Sequence, residues 1–117
     1  RRGMLTAFVV DDEPLAVKRL ARMLPETGRV TVAGTSTDPV EAVAAIRRSG
    51  CDVLFLDIEM PGYNGFQLLE ALGPRDQPLV VFTTAFSQYA LQAFDVNSIA
   101  YLLKPVEAAA LERAIDK

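Results

Sequence analysis

Val53-Leu54-Phe55-Leu56-Asp57 is a run of four apolar residues stopped by an acid. A strand with no polar position along its length has both faces covered, and helices on the two faces of a parallel sheet supply that cover. The stretch therefore predicts a parallel α/β sheet with this strand at its centre. Three further apolar runs stop in the same way: residues 5–10 at Asp11-Asp12, residues 79–82 at Thr83-Thr84, and residues 101–103 at Lys104-Pro105. Parallel strands bring their C-terminal ends to one edge, so acids, a hydroxyl and a cation converge there. That edge is where open α/β sheets bind their ligands.

The segments between these runs have helical spacing. Pro14 sits in a first turn after Asp12-Glu13, and Leu15, Leu20, Ala21 and Leu24 mark one face of a helix that stops at Pro25. Residues 30–35 alternate with period two (Val30, Val32, Gly34), as an edge strand does. Asp38-Pro39-Val40-Glu41 supplies an N-cap, a first-turn proline and a glutamate at the capping-box position, opening a second helix through Val43 and Ile46 to Gly50. After the turn-rich stretch Met60-Pro61-Gly62-Tyr63-Asn64-Gly65, a short helix covers residues 66–72 and ends at Gly73-Pro74. Ser87 caps a helix carrying Tyr89, Ala90, Ala93 and Phe94, and a last helix covers residues 106–116. Five strands alternate with five helices, which places the chain in the α/β class.

The 117 residues suffice for one domain, and half of them are hydrophobic with 23% charged, as in globular proteins. No apolar run approaches the roughly 20 residues that span a bilayer, and Arg1-Arg2-Gly3-Met4 is not followed by a signal-type stretch. The expectation is one cytoplasmic domain over residues 4–117, with residues 1–3 a tail ahead of a start at Met4. A single cysteine, Cys51, excludes an internal disulfide and reads as a small residue leading into a strand. There is no histidine, so imidazole is excluded as base, metal ligand or phosphate carrier within these residues. With net charge −3 and its cations scattered as Lys18-Arg19, Arg22 and Arg47-Arg48, the chain shows no concentrated cationic face for direct nucleic-acid binding.

One aspartate after a strand commonly does no more than cap a turn. Asp11, Asp12 and Asp57 on one edge are different, because two like charges ~4 Å apart repel by about 4 kcal/mol at an effective dielectric of 20. Raised pKa values or a bound cation relieve such a cluster, and hard oxygen ligands with phosphate nearby favour Mg²⁺. Lys104 on the same edge could neutralise phosphoryl oxygens, whereas a simple metal-storage site would gain nothing from it. Thr84 by itself reads as an ordinary strand-end threonine.

Taken in order, these residues resemble the bacterial response-regulator receiver domain from about Leu5 to Asp116. The pattern consists of Asp11-Asp12, Asp57 with Met60-Pro61 and Gly65 at the expected offsets, Thr84-Ala85, and Lys104-Pro105. The stretch from Thr84-Ala85-Phe86 through Tyr89-Ala90-Leu91, Ala93-Phe94 and Val96-Asn97 to Tyr101-Leu102-Leu103-Lys104-Pro105-Val106 further resembles the LytR/AlgR-type subclass, whose members carry a LytTR DNA-binding domain after the receiver. The resemblance implies a flavodoxin-like (βα)5 fold, doubly wound, with strand order 2-1-3-4-5. It implies that Asp57 accepts a phosphoryl group from a phosphohistidine on a sensor histidine kinase. Mg²⁺ would be held by Asp12, Asp57 and the backbone carbonyl of Glu59, with Asp11 assisting through water, and Lys104 would pair with the phosphoryl group. Thr84 and Tyr101 would form a switch acting on the surface of the fourth helix, fifth strand and fifth helix, where Ala93, Phe94, Val96 and Ile99 could feed a partner or a homodimer. Glu59 and Phe86 occupy the two positions that tune hydrolysis of the acyl phosphate, and bulky Phe86 is expected to slow it.

The competing expectation is a small Mg²⁺-dependent phosphatase or phosphotransferase built on Asp57-Ile58-Glu59, similar to haloacid-dehalogenase-type enzymes. Those normally carry aspartate where Glu59 stands, together with a cap over the substrate. A receiver-like module that no longer accepts phosphate does not fit the intact acid set, and a dinucleotide-binding domain would need a Gly-x-Gly-x-x-Gly absent after the first strand.

Overall fold

Because Val53, Leu54, Phe55 and Leu56 offer no polar face, the strand they form can lie only between two apolar layers, and it does. A computed structural model describes residues 4–85 and 100–116. In chain order they form β1 (Leu5–Val10), α1 (Pro14–Glu26), β2 (Val30–Ser36), α2 (Pro39–Ser49), β3 (Val53–Asp57) and α3 (Gly65–Leu72), followed by a 3₁₀ turn (Pro74–Asp76), β4 (Leu79–Thr84), β5 (Ala100–Leu103) and α4 (Ala108–Asp116). All strand pairs are parallel, in the order β2-β1-β3-β4-β5. This is the expected doubly wound, flavodoxin-like sheet, with β3 at its centre.

Alternation along the strands divides the core in two. Phe8, Val10, Leu54, Leu56, Val80 and Phe82 point to one layer, where Ala42 and Ile46 of α2 and Leu68, Leu69 and Leu72 of α3 cover them. Ala7, Val9, Val53, Phe55, Val81 and Leu102 point to the other, under Val17, Leu20 and Leu24 of α1 and Leu111 and Ala114 of α4. Edge strand β2 keeps the alternating burial expected of it.

Several local expectations change. Leu15, placed on the buried face of the first helix, is 79% exposed; Val17, Leu20, Met23 and Leu24 form that face instead. Pro25 does not stop the helix: it falls in the last turn, and α1 closes one residue later at Glu26. Asp38 caps α2 as expected, accepting from the N–H groups of Val40 (2.9 Å) and Glu41 (3.5 Å), but its own N–H donates to Ser36 Oγ (3.1 Å). The complete capping box is at α3, where Asn64 Oδ1 accepts from the Gln67 N–H (2.9 Å) and Gln67 Oε1 accepts from the Asn64 N–H (2.7 Å). The last helix begins at Ala108 rather than at Val106, because Val106 turns inward to fill the layer beneath α1 and α4. The helix expected after Ser87, with Tyr89, Ala90, Ala93 and Phe94, and the positions Phe86, Val96 and Ile99 lie outside the described residues. No helix among the described residues is long and apolar enough to cross a membrane.

Leu54 is wholly buried in the central strand, so Leu54→Ala is expected to lower unfolding free energy by about 2–5 kcal/mol in a urea titration. Asp38→Ala removes only a solvent-side cap and should cost about 1 kcal/mol in the same assay.

Candidate functional site

The sheet order reverses between β1 and β3, because the chain leaves β1 for β2 on one side and returns to β3 on the other. A crevice opens at the C-terminal ends of strands at such a point. Val10 pairs with Leu56 and Asp57 with Thr83, so Asp11 and Asp57 emerge side by side where the β1–β3 ladder ends. Lys104 follows β5 directly, its N–H donating to the Thr84 carbonyl at 2.8 Å.

Asp11 and Asp57 are buried and Asp12 half-buried, and one carboxylate oxygen from each of the three lies within 4.8 Å of the others. Asp11 is held on both oxygens: Oδ1 accepts from the Glu13 N–H at 3.0 Å, and Oδ2 meets Lys104 Nζ at 2.7 Å. The same ammonium stands 3.4 Å from Asp57 Oδ1 and 3.9 Å from the Glu13 carboxylate. Lys104 thus leans on Asp11 more closely than on Asp57, the residue whose phosphoryl group it was expected to pair with. Burial, reinforced by the charge of Asp11 and opposed by Lys104, pushes the Asp57 carboxyl up to about 8. Burial by itself would lower Lys104, but its hydrogen bond to Asp11 and the charges of Asp57 and Asp11 leave it raised.

Asp57 Oδ1 is buried and accepts no well-formed hydrogen bond, the Lys104 ammonium 3.4 Å away being its ion-pair partner. A buried carboxylate oxygen left in that condition costs free energy that a cation or an added donor recovers. Three hard carboxylates converging on a small volume suit a hard divalent cation that keeps several of its waters. Glu59, expected to contribute its backbone carbonyl, lies two residues past Asp57 with its side chain exposed. Gly65 explains why this loop can close tightly. A Cβ there would stand 2.8 Å from the Asp57 carbonyl oxygen, and the Gly65 N–H donates to the Ile58 carbonyl at 2.9 Å.

Thr84 is wholly buried at the end of β4, and strand alternation sets it in the row of Val80 and Phe82. Tyr101 is the register partner of Phe82 and packs, half-buried, against the same layer, where the Phe82 ring meets Phe66 at a centroid distance of 4.9 Å. Thr84 and Tyr101 therefore share one face of the sheet. Two residues were missed. Thr83, to which no role was assigned, is buried on the Asp57 side of β4 as its direct partner. Glu13, read only as part of a helix start, faces Lys104. The run Asp11-Asp12-Glu13 was the available signal. A cavity of about 410 Å³ beside Lys104 is lined by Asp11, Glu13, Leu15, Arg19, Thr83 and Val106, among others.

Comparison with known proteins agrees with this geometry. The family model described as "Response regulator receiver domain" matches residues 7–116. An uncharacterized response regulatory protein of Vibrio parahaemolyticus is 46% identical over 114 residues, 97% of this chain and 47% of that protein. The transcriptional regulatory protein BtsR of Escherichia coli is 40% identical over 112 residues, 96% of this chain and 47% of BtsR. The chain thus spans about half the length of these curated relatives. Among solved structures, the receiver domain of the putative response regulator NarL from Mycobacterium tuberculosis superposes with a TM-score of 0.83 at 30% identity, covering 96% of this chain and 93% of that one. The response regulatory domain of mrkE from Klebsiella pneumoniae gives 0.85 at 25% identity, covering 96% and 93%. With the family model matching residues 7–116 and relatives 40–46% identical over nearly its whole length, the chain belongs to the response regulator receiver domain family.

Proposed function

We propose that residues 4–117 act as one phosphoacceptor unit in a two-component system, taking a phosphoryl group onto Asp57 from a phosphohistidine of a sensor histidine kinase. The observation that carries this reading is the buried Asp57 Oδ1, which accepts no well-formed hydrogen bond, set among Asp11, Asp12 and Lys104. Asp57 attacks phosphorus as the phosphorus–nitrogen bond breaks, and the electron pair of that bond leaves with the kinase imidazole. Lys104 needs only a short movement from Asp11 to meet the oxygens of the arriving group. Mg²⁺, held by Asp12, Asp57 and the Glu59 carbonyl with Asp11 behind a water, would supply charge neutralisation for the transferring oxygens. Positioning and electrostatics suffice for such a transfer, and no enzymatic turnover of other substrates is assigned.

The Thr84 hydroxyl then turns to a phosphoryl oxygen, and Tyr101 swings inward over the space it leaves. Charge at one edge becomes a change of surface on β5, α4 and the residues before β5, which serves a partner or a symmetric homodimer. The name of BtsR and the half-length coverage support an output in transcription. In this reading a LytTR-type DNA-binding domain lies elsewhere in a cytoplasmic protein of the LytR/AlgR subclass.

Incubation with acetyl phosphate and Mg²⁺ should add one phosphoryl mass to the protein, and Asp57→Asn should abolish the gain. A gain that persists in Asp57→Asn overturns the assignment. Stable beryllofluoride binding should raise the molar mass in light scattering, and an unchanged monomer argues against the homodimer.

Proton linkage offers a metal-free test. Asp57 is raised from an unfolded value of 3.8 to about 8, so its contribution to stability is present below the unfolded value and is lost as pH rises toward the folded one. Lys104 is also raised, from 10.5, and its contribution is lost only above that value, outside this window. In buffer containing EDTA, Asp57→Asn should therefore gain in melting temperature relative to wild type between about pH 5 and pH 8. A difference that stays constant with pH would contradict the raised carboxyl.

A further inference from the structure

Lys104 works from a loop that β5 barely holds. The strand ends at Leu103, the Lys104 N–H still reaches the Thr84 carbonyl at 2.8 Å, and Pro105 brings no N–H of its own. Beyond it Val106 is buried beneath α1 and α4, and α4 does not begin until Ala108. A side chain from the opposite wall of the cavity spans this gap: Arg19 on α1 donates from Nη2 to the Val106 carbonyl at 2.7 Å. The two residues are 87 positions apart in sequence, and both line the cavity beside the acid cluster together with Asp11 and Lys104.

We propose that Arg19 is a positioning residue for Lys104, tethering the β5–α4 loop to α1 so that the ammonium stays within reach of Asp57. This rests on the reading of Asp57 as phosphoacceptor. The physical argument is one of leverage. Lys104 Nζ stands 2.7 Å from Asp11 and 3.4 Å from Asp57 Oδ1, so a shift of the loop by less than 1 Å decides whether it can serve both. An arginine suits the task better than a lysine, because a charge-assisted bond from a planar guanidinium to a carbonyl fixes direction as well as distance. The tether also joins the segment that carries the neutralising cation to the helix that follows Asp11, Asp12 and Glu13.

The test uses acetyl phosphate with Mg²⁺, which removes any effect of Arg19 on kinase docking. Arg19→Gln should lower the saturating phosphorylation rate about tenfold, leave the half-saturating concentration within about twofold, and Arg19→Lys should recover part of the rate. In a Lys104→Met background Arg19→Gln should have no further effect, because a residue acting through Lys104 is silent once Lys104 is gone. Hydrogen exchange without metal should show the Lys104 amide less protected in Arg19→Gln, while amides of β3 keep their protection. An unchanged rate, or an equal loss in the Lys104→Met background, overturns the proposal. If the wild type itself takes up no phosphoryl group, the reading of Asp57 falls and this role falls with it.

Discussion

Three carboxylates gathered within 4.8 Å of one another beneath one ammonium are the constraint around which this domain is arranged. Left in water these groups would separate; here the strand ends hold them together. Lys104 relieves part of it by pairing with Asp11, and the residue it satisfies less fully, Asp57, keeps a raised affinity for its proton. A site strained in this way is poised for any group that brings positive charge or hydrogen-bond donors to Asp57.

The sheet makes the strain affordable. β3 is buried along its whole length between two separate apolar layers, so the end of that strand cannot relax away from β1 or β4 without opening both. The same alternation that fills the layers also sorts the functional side chains. Thr83 faces the acids' side of the sheet, while Thr84 and Tyr101 face the layer of Phe82 and Phe66. Thr83 and Thr84 thus bring both faces of β4 to the edge where the acids lie.

Much of this arrangement is legible in the sequence. Strand β3, the cap at Asp38, and the four strand-end stops follow from short-range rules of pattern and capping. The failures were also local in origin. Leu15 looked like a core residue because periodicity counts apolar residues without knowing which face meets the sheet, and it stands at the rim of the cavity instead. Val106 looked helical because its neighbours are helix formers, yet burying its side chain outweighs one more turn of α4. The Asn64–Gln67 box was present in the sequence but hidden within a stretch that read only as turn.

What the sequence determined by itself is the class of fold and the identity of the chemical groups at its edge, because alternation, runs and caps are written in neighbouring residues. Tertiary structure alone decided how those groups share their charges. That Lys104 prefers Asp11, that Asp57 Oδ1 accepts no well-formed hydrogen bond, that Gly65 must have no side chain, and that Arg19 reaches a carbonyl 87 residues away all depend on distances between segments remote in the chain. Such distances are set by how strands register and helices pack, and no local pattern encodes differences of less than 1 Å between ion pairs.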